Sequence, residues 1–181
     1  MRIALIGAQG TGKTTILNEL KNEPLFNNYE FITEVVRHFH KHYNIPISEK
    51  STDVSQLIYF NKYFEILNLN ENFVSDRSLI DVLSYTLYVK DKIPKYVTDY
   101  MFKIIEQYII KYDYIFYFPI MFPVSSDGVR SNDKTFQRKI DSIMNSVIEY
   151  IEGKIPNIKI YTISQLDIKD RVNFILSTIN N

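Results

Sequence analysis

The sequence contains no cysteine and only five glycines among its 181 residues. Without cysteine, the chain forms neither disulfides nor thiolate metal sites. Acidic and basic residues balance at 21 each, and this lack of a basic excess argues against a protein whose main task is to grip long nucleic acid. No apolar run approaches the roughly 20 residues of a membrane span, and the N-terminal apolar run reaches glycine too soon for a signal peptide. We therefore expect a soluble cytoplasmic protein with no membrane partner.

Three of the five glycines lie in one short stretch, GAQGTGKTT, which covers residues 7–15. The stretch follows an apolar strand pattern, precedes a helical pattern and matches G-x-x-x-x-G-K-[ST] in full. Glycine lets the backbone adopt left-handed angles and approach a ligand closely, so that successive N–H groups can form an anion cradle. The residues expected to bind a nucleoside triphosphate are Gly7, Gly10, Thr11, Gly12, Lys13, Thr14 and Thr15.

Two residues of this loop have distinct expected roles. Lys13 is expected to reach the outer phosphates and act in catalysis, and the Thr14 hydroxyl is expected to bind Mg²⁺. ATP is the expected donor and GTP is a possible one, although the Asn-Lys-x-Asp pattern of the usual GTPases is absent from the sequence.

Apolar periodicity predicts strands that alternate with helices along the whole chain. The predicted strands cover residues 2–6, 29–33, 72–75, 112–118 and 158–163, and the predicted helices cover 12–21, 34–43, 53–69, 77–89, 95–111, 136–151 and 168–179. This alternation is typical of a mostly parallel sheet with helices on both faces. Because no linker, repeat or low-complexity block interrupts it, we expect a single α/β domain over residues 1–181.

The second strand is followed by a carboxylate and an arginine, Glu34 and Arg37. Ligands of open α/β sheets bind at the carboxyl ends of the strands, so both residues are candidates for contact with an acceptor. Glu34 is the first choice for the base that takes a proton from an attacking hydroxyl. Arg37 is expected to hold an anionic group of the acceptor. The alternative is a solvated helix face on which the two residues pair.

Two histidines of the same helix, His38 and His42, have the spacing of a shared metal site. No third ligand is evident in the sequence, and magnesium prefers oxygen ligands. We therefore favour surface histidines over a metal site.

The third strand leads into Asp76 and Arg77. Asp76 is expected to coordinate magnesium, directly or through water, and is the second choice for the catalytic base. Arg77 is expected to clamp the acceptor or the transferring phosphate. Asp81 lies one helical turn further on and can pair with Arg77. The alternative role of Asp76 is to cap the following helix.

The fourth strand is followed by a polar segment, SSDGVRSND, and a helix. Arg130 and Arg138 are spaced to share one helical face. A cationic segment beside a phosphate loop is typical of a lid that excludes water and offsets charge in the transition state, here over about residues 123–139. The alternative is an ordinary charged face paired to Asp133 and Asp141.

Aromatic side chains are concentrated in the helix predicted for residues 53–69. They can stack on an acceptor base, although aromatic residues at helical spacing are more often part of the core. The four concerned are Tyr59, Phe60, Tyr63 and Phe64.

Four segments together, GAQGTGKTT, TEVVR, SDRSLIDVLSYT and DGVRSNDKTFQRKID, cover most of the length in this order. On them the chain resembles the P-loop nucleoside and nucleotide kinases, and most of all the AAA-type ATPase/kinase group that includes the nicotinamide-riboside kinase module. The Asp-Arg-Ser run is similar to the signatures of deoxynucleoside kinases and thymidylate kinases. The resemblance implies a three-layer P-loop NTPase fold with a five-stranded parallel sheet of order 2-3-1-4-5. It also implies a base-binding edge at residues 164–167.

The resemblance implies an ATP- and Mg²⁺-dependent kinase that moves the γ-phosphoryl to a hydroxyl or phosphate of a nucleoside or nucleotide. One alternative is a kinase for a hydroxyl of DNA or RNA, either a 5′-hydroxyl end or a hydroxymethylated base, because Glu34-x-x-Arg37 is similar to a motif of 5′-hydroxyl polynucleotide kinases. Another is a nucleotide-dependent switch with slow hydrolysis. The expected catalytic residues are Lys13, Glu34, Asp76, Arg77, Arg130 and Arg138; Arg37 and Arg77 are expected to bind the acceptor, and Thr14 and Asp76 the metal.

Overall fold

The computed structural model describes residues 1–33, 35–122 and 134–180. Five strands form one sheet in the order β2-β3-β1-β4-β5, and each neighbouring pair is parallel. The strands are β1 Arg2–Ile6, β2 Glu30–Ile32, β3 Phe73–Asp76, β4 Tyr114–Tyr117 and β5 Ile160–Thr162. The predicted strand order and direction are therefore confirmed.

Seven α-helices connect and follow these strands within the described ranges. They are α1 Lys13–Leu20, α2 Val35–Tyr43, α3 Asp53–Leu69, α4 Leu79–Tyr88, α5 Lys95–Tyr108, α6 Lys134–Lys154 and α7 Ile168–Asn180. Short 3-10 turns occur at Pro24–Phe26, Ser48–Lys50, Lys90–Lys92 and Ile109–Lys111. In the part of the chain that the structure describes, no helix combines the length and apolar character needed to cross a membrane.

The central strand β1 contributes to a separate core on each face of the sheet. Because side chains alternate along a strand, Ile3 and Leu5 pack with residues of α1 and α7, whereas Ala4 and Ile6 pack with residues of α3, α4, α5 and α6. All four side chains are fully buried. The predicted arrangement of helices on both faces is confirmed, and the carboxyl end of β1 emerges between the two layers.

The start of α4 differs from the prediction. Arg77 has a φ of 89°, a left-handed conformation that no α-helix contains. The helix begins only at Leu79, after Ser78, whose hydroxyl accepts a hydrogen bond from the Ile80 amide at 3.1 Å. Thus the predicted helix start at residue 77 is wrong, and the residue that caps the helix is Ser78 rather than Asp76.

Candidate active site

The phosphate-binding stretch forms the turn between β1 and α1. Its glycines take positive φ angles of 149° at Gly7, 74° at Gly10 and 89° at Gly12, and Gly12 is the N-cap of α1. The Lys13 ammonium lies inside the turn, where it donates hydrogen bonds to the carbonyl oxygens of Gly7 at 2.8 Å and Ala8 at 2.7 Å. A helix N-terminus and a buried ammonium thus meet at one point, an arrangement that suits a bound polyphosphate.

Gly7 occupies a position that admits no side chain. A Cβ there would lie 2.5 Å from the backbone carbonyl oxygen of Phe118, and the φ of 149° disfavours any L-residue. We expect Gly7→Ala to lower the free energy of unfolding by about 2–4 kcal/mol, because both strain and overpacking oppose it. Urea denaturation measures this change.

The matched control for Gly7→Ala is Gly153→Ala in α6, where an added Cβ would meet nothing within 4 Å. Because alanine favours a helix more than glycine does, this variant is expected to gain up to about 1 kcal/mol. Equal stability of Gly7→Ala and the parent protein would contradict the described conformation of the phosphate loop.

Thr14 and Asp76 form a pair of oxygen ligands at the ends of α1 and β3. The Thr14 hydroxyl donates a hydrogen bond to Asp76 Oδ2 at 2.5 Å. Asp76 is 5% exposed, and its Oδ1 is buried without a hydrogen-bond partner among the described residues. Oxygen ligands of this kind suit Mg²⁺, which takes few protein ligands and completes its shell with phosphates and water. The donor set therefore fits the metal that the sequence predicts.

Arg77 is held in its left-handed conformation at the end of β3 by several contacts. Its amide donates to the Leu5 carbonyl at 2.9 Å, and its guanidinium lies 3.8 Å from Asp81 Oδ1 and 4.8 Å from the centre of the Tyr85 ring. Burial opposes the charge of Arg77, but the neighbouring Tyr85 and Asp81 outweigh it and raise its pKa. Such strain costs about 1–3 kcal/mol and is concentrated at functional sites.

Asp81 joins the phosphate loop to the start of α4. Its Oδ1 accepts from the Gly7 amide at 3.2 Å, and its Oδ2 accepts from the Ser78 amide at 2.8 Å. Complete burial raises the pKa of this carboxyl, and the charges of Arg77 and Lys13 oppose the rise. The predicted Asp81–Arg77 pair is confirmed, but the bond to the loop was not predicted. The Ser-x-x-Asp spacing signals the capping box alone.

A pocket that is partly open to solvent adjoins the phosphate loop. Within it, Gln9 Oε1 accepts a hydrogen bond from the Tyr85 hydroxyl at 2.8 Å. Gln9 Nε2 and Ser51 Oγ are buried and have no hydrogen-bond partner within the described part of the chain. The residues that line the pocket are Gln9, Val36, Arg37, Ile47, Ser48, Ser51, Gln56, Tyr59, Arg77, Val82 and Tyr85.

The predicted acceptor residues Arg37 and Arg77 both line this pocket. Of the four aromatic residues of α3 considered above, Tyr59, Phe60 and Tyr63 are all buried in the core, and Tyr59 also lines this pocket. Phe64 packs against that core. The core interpretation is thus confirmed for Tyr59, Phe60 and Tyr63.

Other predicted residues lie away from the pocket or outside the description. Thr15 is exposed on α1. Arg138 is exposed on α6, where it lines a second cleft with Met121 and Phe122. The predicted base Glu34 and the predicted lid residue Arg130 fall outside the described residues, as does most of the predicted lid. Their roles remain predictions.

The histidine pair of α2 is exposed, and the ring centres of His38 and His42 are 4.5 Å apart. Among the described residues, no group of three or more histidine, aspartate or glutamate side chains is placed to hold a metal ion. The surface interpretation of these histidines thus agrees with their exposure.

Two buried residues distant in sequence contact the phosphate loop and were missed by the sequence analysis. Gln137 of α6 donates to the Gln9 carbonyl at 2.6 Å, and Arg171 of α7 donates to the Thr11 carbonyl at 3.1 Å. Arg171 belongs to no recognisable motif, and Gln137 lies in the segment DGVRSNDKTFQRKID without a predicted role, so only the folded chain reveals these contacts.

Comparison with known proteins agrees with this geometry. A sequence model described as AAA domain matches residues 2–159, and a search of curated proteins finds no match. A solved deoxyadenosine kinase from M. mycoides, with products dCMP and a flexible dCDP bound, has a TM-score of 0.67 at 18% identity, over 99% of this chain and 98% of that chain.

Two further structures have the same fold. The NadR protein in complex with NR gives a TM-score of 0.69 at 17% identity, over 98% of this chain and 50% of that chain. Thymidylate kinase from Candida albicans gives 0.67 at 15% identity, over 98% of this chain and 90% of that chain. The chain therefore has the three-layer P-loop fold that these proteins share.

Proposed function

The chain belongs to the AAA domain family, and from this premise we propose that it is a kinase. It transfers the γ-phosphoryl group of ATP, in the presence of Mg²⁺, to a hydroxyl or phosphate of a nucleoside or nucleotide. One observation carries the proposal: Gln9 belongs to the phosphate loop and also lines the adjoining pocket. A donor on the loop and an acceptor in the pocket would thus be neighbours, as in-line transfer requires.

On the donor side, the loop and its lysine bind the phosphates. Lys13 carries a buried positive charge at the N-terminus of α1, where negative charge that develops on the transferred group is stabilised. Thr14 and Asp76 are the residues that would hold the metal. Bound Mg²⁺ would neutralise charge on the outer phosphates.

On the acceptor side, the pocket combines two guanidinium groups with apolar walls. Arg37 and Arg77 provide positive charge, which suits an acceptor that carries a phosphate or develops charge at its reacting oxygen. Val36 and Ile47 supply apolar surface against which a flat base can pack. The proposed acceptor is accordingly a nucleoside or nucleotide.

The base that accepts the hydroxyl proton is Glu34 in this proposal, with Asp76 as the second choice. Glu34 directly precedes α2, the helix that carries Arg37. Arg130 and Arg138 are proposed to stabilise the transferred charge from the lid. Undiminished transfer by Glu34→Gln would assign the base role to Asp76.

A panel of acceptors with γ-labelled ATP and Mg²⁺ tests the function. The proposal expects label on a free nucleoside or nucleotide. Label on an oligonucleotide would instead indicate a kinase for DNA or RNA. Release of label to water at a rate independent of every acceptor would indicate a nucleotide-dependent switch.

Gln9→Met is expected to raise the KM of the acceptor about 10-fold and leave the KM of ATP within about twofold. The buried Gln9 Nε2 would donate to the acceptor, and a net hydrogen bond contributes about 0.5–1.5 kcal/mol. Steady-state kinetics measure both constants. Gln107→Met, on the exposed face of α5, is the control, and an unchanged acceptor KM in Gln9→Met would argue against this contact.

A further inference from the structure

Arg171 of α7 is a buried arginine behind the phosphate loop, and it is only 3% exposed. Its Nη1 donates to the Thr11 carbonyl at 3.1 Å, and its Nε donates to the Gln165 carbonyl at 2.8 Å. Its Nη2 lies 3.1 Å from Met121 Sδ, and its guanidinium carbon lies 5.0 Å from the centre of the Phe122 ring. The guanidinium therefore contacts two backbone carbonyls, a thioether sulfur and an aromatic ring.

The bond to Thr11 fixes one peptide of the phosphate loop. A trans peptide is planar, and its C=O and N–H point in opposite directions. When Arg171 holds the Thr11 carbonyl on the α7 side, the Gly12 N–H is turned away from α7. Arg171 Nη1 also lies 3.1 Å from the position that a Gly12 Cβ would occupy, so the guanidinium packs directly against the N-cap of α1.

The charge of Arg171 has no carboxylate partner in the described ranges, where the ion pairs are Lys62–Glu65, Arg77–Asp81 and Lys95–Asp99. A positive charge beside a helix N-terminus is electrostatically unfavourable, and burial of an unpaired charge is costly. Desolvation accordingly lowers the pKa of Arg171. The arrangement becomes favourable when an anion is bound at the same helix terminus.

We propose that Arg171 is a positioning residue of the phosphate loop. It orients the Thr11–Gly12 peptide and supplies a buried positive charge that the phosphates of the donor nucleotide compensate. The inference rests on the proposed function in that it takes the loop ligand to be a nucleoside triphosphate. It requires binding of that ligand but no particular acceptor.

Isothermal titration of the full chain with Mg·ATP, and separately with inorganic tripolyphosphate, tests the proposal. Arg171→Gln removes the charge and is expected to weaken both ligands about 10- to 100-fold, in line with loss of a buried charge-assisted contact. Arg171→Lys keeps the charge but loses the planar fork, so about 3- to 10-fold weaker binding is expected. Lys169→Gln, an exposed charge change on the same helix, is expected to bind both ligands like the parent protein.

The acceptor KM and thermal melting distinguish a specific loss of phosphate binding from a general loss of structure. The proposal expects the acceptor KM to stay within about twofold in both Arg171 variants. Parent-like affinity for both ligands in Arg171→Gln, or in Arg171→Lys if the first variant does not fold, would overturn it. An acceptor KM raised by the same factor as the dissociation constant of ATP would also overturn the proposal. If the parent protein binds ATP but phosphorylates no acceptor, the proposed function is refuted and the binding test of Arg171 still applies. If the parent protein binds neither ATP nor tripolyphosphate, the proposed function and the role of Arg171 are both refuted.

Discussion

Lys13→Met is expected to lower kcat/KM for ATP by about 10²- to 10³-fold, the typical cost of one lost charge-stabilising donor. The Lys13 ammonium lies inside the phosphate loop, where it donates hydrogen bonds to the Gly7 and Ala8 carbonyls. Methionine keeps a similar apolar stem and removes the ammonium charge together with its hydrogen bonds. Steady-state transfer of label from γ-labelled ATP measures the loss.

Two comparisons make the Lys13 result specific. Lys103→Ala removes an exposed charge from α5 and is expected to leave kcat/KM unchanged. Thermal melting is expected to show that Lys13→Met remains folded. Transfer by a folded Lys13→Met protein at the parent rate would remove Lys13 from the donor site.

Asp76→Asn is expected to lower kcat by about 10²- to 10⁴-fold and to raise the Mg²⁺ concentration needed for half-maximal activity. The substitution conserves shape but removes the negative charge from the carboxylate that accepts from Thr14 at 2.5 Å. Charge stabilisation by a bound metal is worth several kcal/mol in transition states of this kind. Rates measured over a Mg²⁺ titration separate the metal effect from any change in nucleotide affinity.

The matched control for Asp76→Asn is Asp99→Asn in α5, because Asp99 is an exposed carboxylate whose described ion-pair partner is Lys95. This variant is expected to show parent kinetics at every Mg²⁺ concentration. A Mg²⁺ dependence of Asp76→Asn identical to that of the parent protein would place the metal elsewhere and leave Asp76 as a purely structural residue.

The central part of the fold is predictable because its signals are local. The strand predicted for residues 2–6 and the helix predicted for residues 53–69 agree with β1 and α3 to the residue. The edge strands are shorter than predicted, as β5 shows: an apolar run continues past the point where backbone pairing ends. Strand order is not a local property, and it followed from resemblance to a family.

The start of α4 shows where sequence periodicity fails. The apolar pattern after residue 77 continues without a break, yet Arg77 takes a left-handed conformation that side chains usually avoid. A hydrogen bond to the carbonyl of Leu5, 72 residues earlier in sequence, holds it there, together with contacts to Asp81 and Tyr85 of α4. The contribution of a partner as distant as Leu5 leaves no mark on local propensity.

The candidate site likewise contains some residues that the sequence predicted and others that only the structure reveals. A motif with fixed spacing predicted the loop, Lys13 and Thr14, and the Thr14 hydroxyl lies in hydrogen-bond contact with Asp76. Gln137 and Arg171 contact the loop from 128 and 160 residues away in sequence. Their types, an amide and a guanidinium within amphipathic helices, are typical of helix surfaces, and only the topology brings them to the loop.

The central claim is that the loop between β1 and α1 presents a metal-bound triphosphate to the pocket lined by Gln9 and Arg77. A crystal structure with Mg²⁺ and a non-hydrolysable ATP analogue tests it most directly. The account predicts the β- and γ-phosphates within hydrogen-bond distance of Lys13 Nζ, the metal beside Thr14 and Asp76, and the γ-phosphate at the mouth of that pocket. An analogue bound elsewhere, or a γ-phosphate directed away from Gln9 and Arg77, would contradict it.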